Sequence, residues 1–465
     1  MFEATLSIDL GASYTKVAYR ENCVPTAVRS ETQDARILLV DGKALIPSLA
    51  IQTRSRTKPW VFGLQAANLR PDGNMRVFRN WKADLFRPDN NQDSAAAVIV
   101  AEHFLGWLKE KVEHAGVNLA KTQTRIAMPA FKSFDDRALV VARCMELNGW
   151  ESPLILKATE PHANTIGLFS RGRNVVSRTK KDDLLLDYGR MFGFGNEYVR
   201  TARGHTLLEN PRKLVTAIVV DIGAFTTDVA AVTFNVAAPD ETTDGLQRIE
   251  QRSHALGVIN DLDRPLFEAL AAHHGFDWAE ISFREVEMVK QAIYRAETYS
   301  LLTKGAGSVN LGQGDDRPLV DEHLERFTDA LRERIGPFID REEPSVAYLT
   351  GGGALIPRVV EGLKKWLRCR HWRIGAVDQG DGSAGTAHWC PWADTGEGLH
   401  RLATALGGAS VVMQSASRPV YSVGSRPVAW EPPPSTQAPN PVSCRCQGGN
   451  KDCCFCGGRG FYTSN

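Results

Sequence analysis

Ser7-Ile8-Asp9-Leu10-Gly11-Ala12-Ser13-Tyr14-Thr15-Lys16 and Val220-Asp221-Ile222-Gly223-Ala224-Phe225-Thr226-Thr227-Asp228 state one chemical pattern twice. Each places an apolar run before an Asp, a Gly two residues on, and hydroxyl side chains where the chain turns back. Glycine lets backbone come close to a phosphate, and exposed amides beside Ser or Thr hydroxyls can cradle it. An Asp aimed into such a bend can hold a cation through its bound water. One hairpin of this kind is weak evidence, because many buried strands end in Asp-x-Gly. Two in one chain point to a clamp that closes on a nucleotide from both sides.

A second group able to do chemistry lies near the carboxyl end, where Cys444, Cys446, Cys453, Cys454 and Cys456 crowd together. The other four cysteines, Cys23, Cys144, Cys369 and Cys390, are scattered and read as buried, reduced thiols. Cysteine density of this sort in a cytoplasmic protein reads as metal rather than disulfide.

The elements that would carry these groups follow from periodicity. Apolar flanks on both phrases predict β-hairpins with a glycine-containing bend. Strands are also expected at 35–40 and 44–50, joined by a tight turn at Asp41-Gly42, and at 124–130. Helical spacing predicts helices over 95–112, 135–147, 261–273, 281–300, 322–336 and 398–407. Val346–Thr350 reads as a strand running into the Gly351-Gly352-Gly353 turn, with a helix from Ile356-Pro357. Residues 171–213, rich in charge and Gly, read as a surface insertion, and Ser425–Ser443 with Pro432-Pro433-Pro434 as a semi-extended tether.

Bulk composition narrows the classes. A chain of 465 residues can bury a large core, and 43% hydrophobic with 23% charged residues is ordinary for a globular protein. Lys+Arg at 55 against Asp+Glu at 54 favours neither nucleic acid nor membrane as main partner. The acidic Met1-Phe2-Glu3 start and the lack of a long apolar run lead to the expectation of a cytoplasmic protein without signal peptide or membrane span.

The order of motifs resembles the actin, heat-shock-chaperone and sugar-kinase ATPase superfamily, and most closely the nucleotide-binding domain of the heat-shock 70-kDa chaperones. Asp9–Thr15 and Asp221–Asp228 are similar to the two phosphate loops, Ala158–Asn164 to the connecting segment with its water-orienting Glu, and Leu349–Pro357 to the adenosine loop. Met128-Pro129-Ala130-Phe131 with Arg137 resembles the segment that couples nucleotide state to the rest of a chaperone. Gly63–Asn68 followed by Trp81-Lys82 resembles the edge subdomain over the cleft. The resemblance covers roughly residues 4–410.

It implies an α/β, two-lobed actin-like fold, a duplicated ribonuclease-H-like ATPase, with a small C-terminal zinc knuckle. The implied division is lobe I at 1–170, the charged insertion at 171–213, lobe II at 214–385 and a return helix at 386–412. A Pro-rich linker at 413–443 and a Cys-rich tail at 444–465 complete it. The resemblance further implies ATP or ADP with Mg²⁺, which Asp9 and Asp221 would hold through water. Backbone around Gly11, Ala12, Ser13, Tyr14, Gly223, Ala224 and Phe225 would take the phosphates. Glu160 would orient or deprotonate water, Thr226 would lie near the γ-phosphate, and Gly351, Gly352 and Gly353 would admit the adenosine. Glu287 and Lys290, on one helical face, fit the family's E-x-x-K contact to ribose and base; a solvated i, i+3 pair is the other reading.

Three departures matter. Ala67 stands where the chaperones have a phosphate-stabilising lysine; Lys16 or Lys82 could substitute, though neither is at the matching place. Ala12 replaces a hydroxyl in the first loop. After Ala409 come only tether and cysteines, so no peptide-gripping β-sandwich fits. Cys453-Cys454-Phe455-Cys456-Gly457-Gly458-Arg459-Gly460 resembles one zinc repeat of the J-type co-chaperones. Cys444 and Cys446 would supply the second pair for a tetrahedral Zn²⁺, against a redox dithiol or a disordered thiol-rich tail. The expected function is a slow ATPase acting as a nucleotide-dependent switch that engages a protein partner through the zinc tail or the ATPase surface. An actin-like filament ATPase, a sugar or acid kinase, and a weak pseudo-ATPase binding module are the alternatives.

Overall fold

The structure is a computed structural model that describes residues 2–21, 35–86, 92–130, 134–151, 153–155, 159–176, 214–235, 246–303, 307–342, 344, 346–367, 371–374, 399–409, 441–443 and 461–463. Its first run of elements is β1 (Ala4–Leu10), β2 (Tyr14–Glu21), β3 (Arg36–Ile37), β4 (Ile46–Pro47), β5 (Ala50–Gln52), β6 (Trp60–Phe62), α1 (Gly63–Asn68), β7 (Arg76–Phe78), α2 (Trp81–Phe86), α3 (Gln92–His114), β8 (Thr122–Ile126), α4 (Phe134–Leu147), β9 (Leu154–Ile155) and α5 (Glu160–Val176). There follow β10 (Leu214–Ile222), β11 (Thr227–Asn235), β12 (Leu246–His254), α6 (Arg264–His274), α7 (Phe283–Tyr294), β13 (Tyr299–Thr303), β14 (Gly307–Leu311), α8 (Asp316–Glu342), β15 (Val346–Thr350), α9 (Pro357–Trp366), β16 (His371–Ile374) and α10 (Leu399–Gly408). Two short strands, β17 (Pro441–Ser443) and β18 (Phe461–Thr463), close the sequence of elements.

The fold is mixed α/β, and its two largest sheets repeat one plan. The first runs β3-β2-β1-β8-β9 and the second β12-β11-β10-β15-β16. In both, a long central strand pairs antiparallel with its hairpin partner and parallel with the strand beyond. All seven residues of β1 are buried, as a central strand covered on both faces requires. One face of the first sheet packs on α3 and α4 through Leu6, Ile8, Phe104, Leu105, Val141 and Met145. The corresponding face of the second packs on α6 and α8 through Ile218, Val220, Leu266, Leu270, Phe327 and Leu331.

A third core joins the remaining faces of both sheets: Ala18 and Ile37 from one, Ala217, Val219 and Tyr348 from the other, with Leu168 of α5 and Leu402 and Leu406 of α10. Helices α5 and α10 cross here backbone to backbone. A Cβ on Gly167 would lie 1.8 Å from Ala403 O, and one on Gly407 would lie 1.8 Å from Ala163 O. Only glycine fits at either place.

Most expected elements are present, with three informative shifts. The helix expected over 281–300 ends at Tyr294, since Ala296 takes a left-handed conformation and Tyr299–Thr303 pairs with β14 instead. Hydroxyl and aromatic residues at 298–300 favour that strand over another helical turn, and the hairpin buries Leu301. The helix expected over 322–336 extends to Asp316–Glu342. The strand expected over 35–40 pairs only at Arg36–Ile37, before a turn in which Asp41 and Gly42 both have positive φ, as anticipated.

Among the described residues no helix is long and apolar enough to cross a membrane. Of the expected 171–213 insertion, α5 covers the segment to Val176 and 177–213 lie outside the described residues. The five clustered cysteines also lie outside them.

Candidate functional site

The bends after β1 and β10 face one another across a cavity of about 340 Å³, a size typical of small-ligand pockets. Its wall carries Asp9, Gly11, Ala12, Ser13 and Tyr14 from one bend and Asp221, Gly223, Ala224, Phe225 and Thr226 from the other. Glu160, Glu287, Lys290, Gly351, Gly352 and Gly353 complete the expected set, so all the non-cysteine candidates line one space. A larger groove of about 1030 Å³ between α8 and α9, with Asp321, Arg332 and Trp366 on its wall, contains none of them.

Each bend is built tightly enough to demand its glycine. A Cβ on Gly11 would stand 2.2 Å from Tyr14 O. Ser48 fastens this bend, donating from Oγ to Gly11 O at 2.6 Å and from its amide to Ser13 O at 2.8 Å. In the second bend Gly223 N donates to Thr226 O at 2.8 Å, and the chain after β12 ties on through Val258 N to Gly223 O at 3.0 Å. Ala12 and Phe225 both pack into the first core, so the two bends share apolar support.

Register makes the two hairpins chemically unequal. Asp9 pairs across the ladder with Lys16, whose Nζ donates to Asp9 Oδ2 at 2.9 Å. At the same place in the second hairpin Asp221 faces Asp228. Like charges opposite one another in a ladder repel. Burial raises the proton affinity of Asp221, and the neighbouring Asp9 and Glu160 add to this, so its carboxyl is pushed up to about 7 although Lys16 opposes the rise. Asp228 is raised well above the usual carboxylate range, first by burial and then by Glu160 and Asp221. Ser253 Oγ donates to Asp228 Oδ1, and Thr226 Oγ donates to Oδ2 at 3.3 Å.

Glu160 starts α5, its amide donating to Met128 O at 2.8 Å. Its carboxylate receives Lys82 Nζ at 2.6 Å, with Lys82 only 4% and Glu160 only 6% exposed. Both lysines named as substitutes for the one missing at Ala67, Lys16 and Lys82, line the cavity. Ala67 packs with Leu49, Ile51 and Ala66 away from the cavity wall, while α2 delivers the ammonium of Lys82 into the cavity. One turn into α5, Asn164 Nδ2 donates to Asp221 Oδ2 at 2.7 Å and to Thr404 Oγ1 of α10 at 3.1 Å.

The glycine turn after β15 closes against the second hairpin. Gly351 has φ +81°, and a Cβ there would lie 2.3 Å from Asp221 Oδ1. Helix α7 begins with a capping box between Ser282 and Glu285 and presents Glu287 and Lys290 to the cavity. Lys290 Nζ bonds Glu287 at 2.9 Å and Asp263 at 2.8 Å, and Tyr14 OH donates to Glu287 Oε2 at 3.3 Å. The i, i+3 pair therefore forms, but inside a buried network rather than in solvent. Burial disfavours the Lys290 charge, yet Asp263 and Glu287 outweigh it and hold the ammonium protonated. Arg401 of α10 stacks on Tyr14, its guanidinium 5.3 Å from the ring centre.

Around the two bends four carboxylates (Asp9, Glu160, Asp221, Asp228) meet two ammonium groups (Lys16, Lys82). The cavity wall also carries Glu287, Lys290, Arg295 and Arg401, so its formal charge balances, and the oxygen donors gathered at the bends are of the hard kind that suits a divalent cation. Backbone amides at the bends and the lysines suit an anion such as a phosphate chain. Among the described residues, His273, His274 and Asp316 bring ligand atoms within 4.8 Å of one another. None lines the cavity, and His274 Nε2 with Asp316 Oδ1 at 2.9 Å ties the end of α6 to the start of α8.

Sequence reasoning left Asp228, Asn164, Asp263, Arg401 and Thr404 out of the site, and named Lys16 and Lys82 only as substitutes for the lysine missing at Ala67. Three of these seven had local signals. Asp228 stands seven residues after Asp221, as Lys16 does after Asp9, and Asn164 is four residues after Glu160 on one helix face. The backbone of β17 and β18 pairs Ser443 with Phe461, bringing together the two ends of the segment that holds the clustered cysteines. Compared with known proteins, the chain matches no family model and no curated sequence.

Proposed function

We propose that this chain is a chaperone-like ATP-binding protein with the two-lobed, duplicated ribonuclease-H-like fold of the actin superfamily, and that it hydrolyses ATP slowly as a switch. The observation that carries the reading is the convergence of both Asp-x-Gly bends, the Gly351–Gly353 turn and Glu160 on one cavity. The repeated strand plan of the two large sheets supports the duplicated fold.

In this reading the amides of both bends bind the β- and γ-phosphates, with Lys82 and Lys16 neutralising charge. Asp9 and Asp221 would hold Mg²⁺ through its water shell, where it supplies charge neutralisation on the phosphate oxygens. Glu160 orients a water toward the γ-phosphorus. The new P–O bond forms as the bond to the β–γ bridging oxygen breaks, giving ADP and phosphate, and the water's proton passes toward the Glu160 carboxylate. Gly351 and Gly352 leave room for the nucleoside beside Lys290. Slow turnover fits Ala12, which cannot donate a hydroxyl, and Ala67, which cannot supply a charge to the phosphate.

The partner-binding part of the proposal rests on the cysteine tail, with Cys444, Cys446, Cys453 and Cys456 as ligands for one structural Zn²⁺. A β-ribbon at the base of that segment suits a closed knuckle. The deciding experiment is ATP binding with Mg²⁺, followed by single-turnover hydrolysis beside Glu160→Ala and Asp9→Asn. Binding without any excess of wild-type hydrolysis over the variants refutes the catalytic roles. Failure to bind ATP refutes the nucleotide reading itself.

A further inference from the structure

Lys82 is an unusual place to find a charge. Its helix has six residues, and Trp81, Ala83, Leu85 and Phe86 are all buried, so the backbone that carries it is anchored on several sides. The stem runs beside Phe86, with Nζ 5.8 Å from that ring centre, and the ammonium emerges at the cavity wall on Glu160. A buried ammonium needs an anion, and the cavity offers carboxylates until a ligand enters.

We propose that Lys82 senses the terminal phosphate of a nucleoside triphosphate. In the structure it holds Glu160, and an arriving γ-phosphate draws the ammonium away and releases the carboxylate for the attacking water. This rests on reading the cavity as a nucleotide site. A phosphate terminus carries more charge than one carboxylate, and a lysine stem lets Nζ move while the helix stays fixed. Once the ammonium leaves, desolvation and the nearby Asp9 both strengthen Glu160 as a proton acceptor. A diphosphate brings no such competitor, so the ion pair persists and the site stays idle. The same pair thus makes the protein distinguish triphosphate from diphosphate and confines water activation to the triphosphate complex.

The test is a competition measured by affinity. Dissociation constants for ADP and for a non-hydrolysable ATP analogue, both with Mg²⁺, are determined for wild type, Glu160→Gln, Lys82→Met and the double variant. Glu160→Gln keeps the side chain's shape but frees Lys82 from an ion pair. The analogue should then bind about tenfold tighter, within the usual span of coupling effects, while ADP affinity stays within about twofold. Lys82→Met should erase the preference for the triphosphate, and in that background Glu160→Gln should add nothing. If wild type and Glu160→Gln bind both nucleotides with the same analogue-to-ADP ratio, the exchange is overturned while the nucleotide site stands. If no variant binds either nucleotide, both readings fall. Glu160→Gln is isosteric, so the comparison survives even if Lys82→Met does not fold.

Discussion

Replacing Asp221 by Asn should make the nucleotide-free protein more stable at alkaline pH, although it removes a group proposed to serve function. Burial, Asp9 and Glu160 push the Asp221 carboxyl from 3.8 up to about 7. The folded chain therefore holds this proton more tightly than the unfolded chain. Between those two values the unfolded state binds fewer protons, so the contribution of Asp221 to stability falls as pH rises through the window. A shift of about 3 units sets a ceiling of about 4 kcal/mol. Asp221 is only half-buried, so solvent screening reduces this to about 2–3 kcal/mol. Asn at this position is uncharged at every pH and can still accept the hydrogen bond from Asn164. Denaturant unfolding without Mg²⁺ should show the variant ahead by that amount at pH 8, with the gap closing toward pH 4. Mg²⁺ added at pH 8 should raise the stability of the wild type more than that of the variant. A variant less stable than wild type at pH 8, or a gap that does not depend on pH, would refute the charge balance described for this site.

Gly351→Ala forces a side chain into a left-handed position against Asp221 and Ile222 O. It should cost about 3 kcal/mol or more in thermal unfolding, whereas Gly352→Ala, with open space around its Cβ, should cost under about 1 kcal/mol. Gly407→Val separates α10 from α5 and displaces Thr404 from Asn164; a loss above about 3 kcal/mol is expected, measured as denaturation midpoint or as loss of soluble protein. Purified full-length protein should carry about one Zn²⁺ per chain by elemental analysis, and Cys453→Ser with Cys456→Ser should remove it. Equal zinc in both would exclude the tail as the ligand set.

Local chemistry was readable where a hairpin fixed it. The two bends, their glycines and the Gly351 turn followed from residue type and spacing alone, because such turns are set by a few neighbouring residues. Ladder register would also have revealed Lys16 and Asp228, since each lies seven residues beyond its Asp in a hairpin whose bend was already located. Lys82 was harder to assign. Whether its charge points to solvent or into the cavity depends on what buries the other face of α2, and that is a tertiary matter. Arg401 and Thr404 come from a helix far along the chain that returns between the sheets, and no local pattern says where it lands. The overlong helix expected over 281–300 failed for a similar reason. Its last residues gain more by pairing with β14 than by another helical turn.

The meeting of Gly167 with Gly407 has a mechanical consequence. Helices that touch through bare backbone have no rotamers to rearrange at the line of contact, so that line works as a bearing and not as a latch. Beside the shared apolar core, the edge segment that carries α2 is tied to the later part of the chain by side-chain hydrogen bonds. Arg79 reaches Ile281 O at 2.7 Å, Arg70 reaches Leu302 O at 2.9 Å, and Asn80 meets Asn260 at 2.9 Å. Such ties can release one at a time while the bearing keeps its axis. In the proposed switch, Asn164 and Thr404 with Asp221 lie beside this contact and would hold their spacing, while the larger displacement would fall on α2, which carries Lys82.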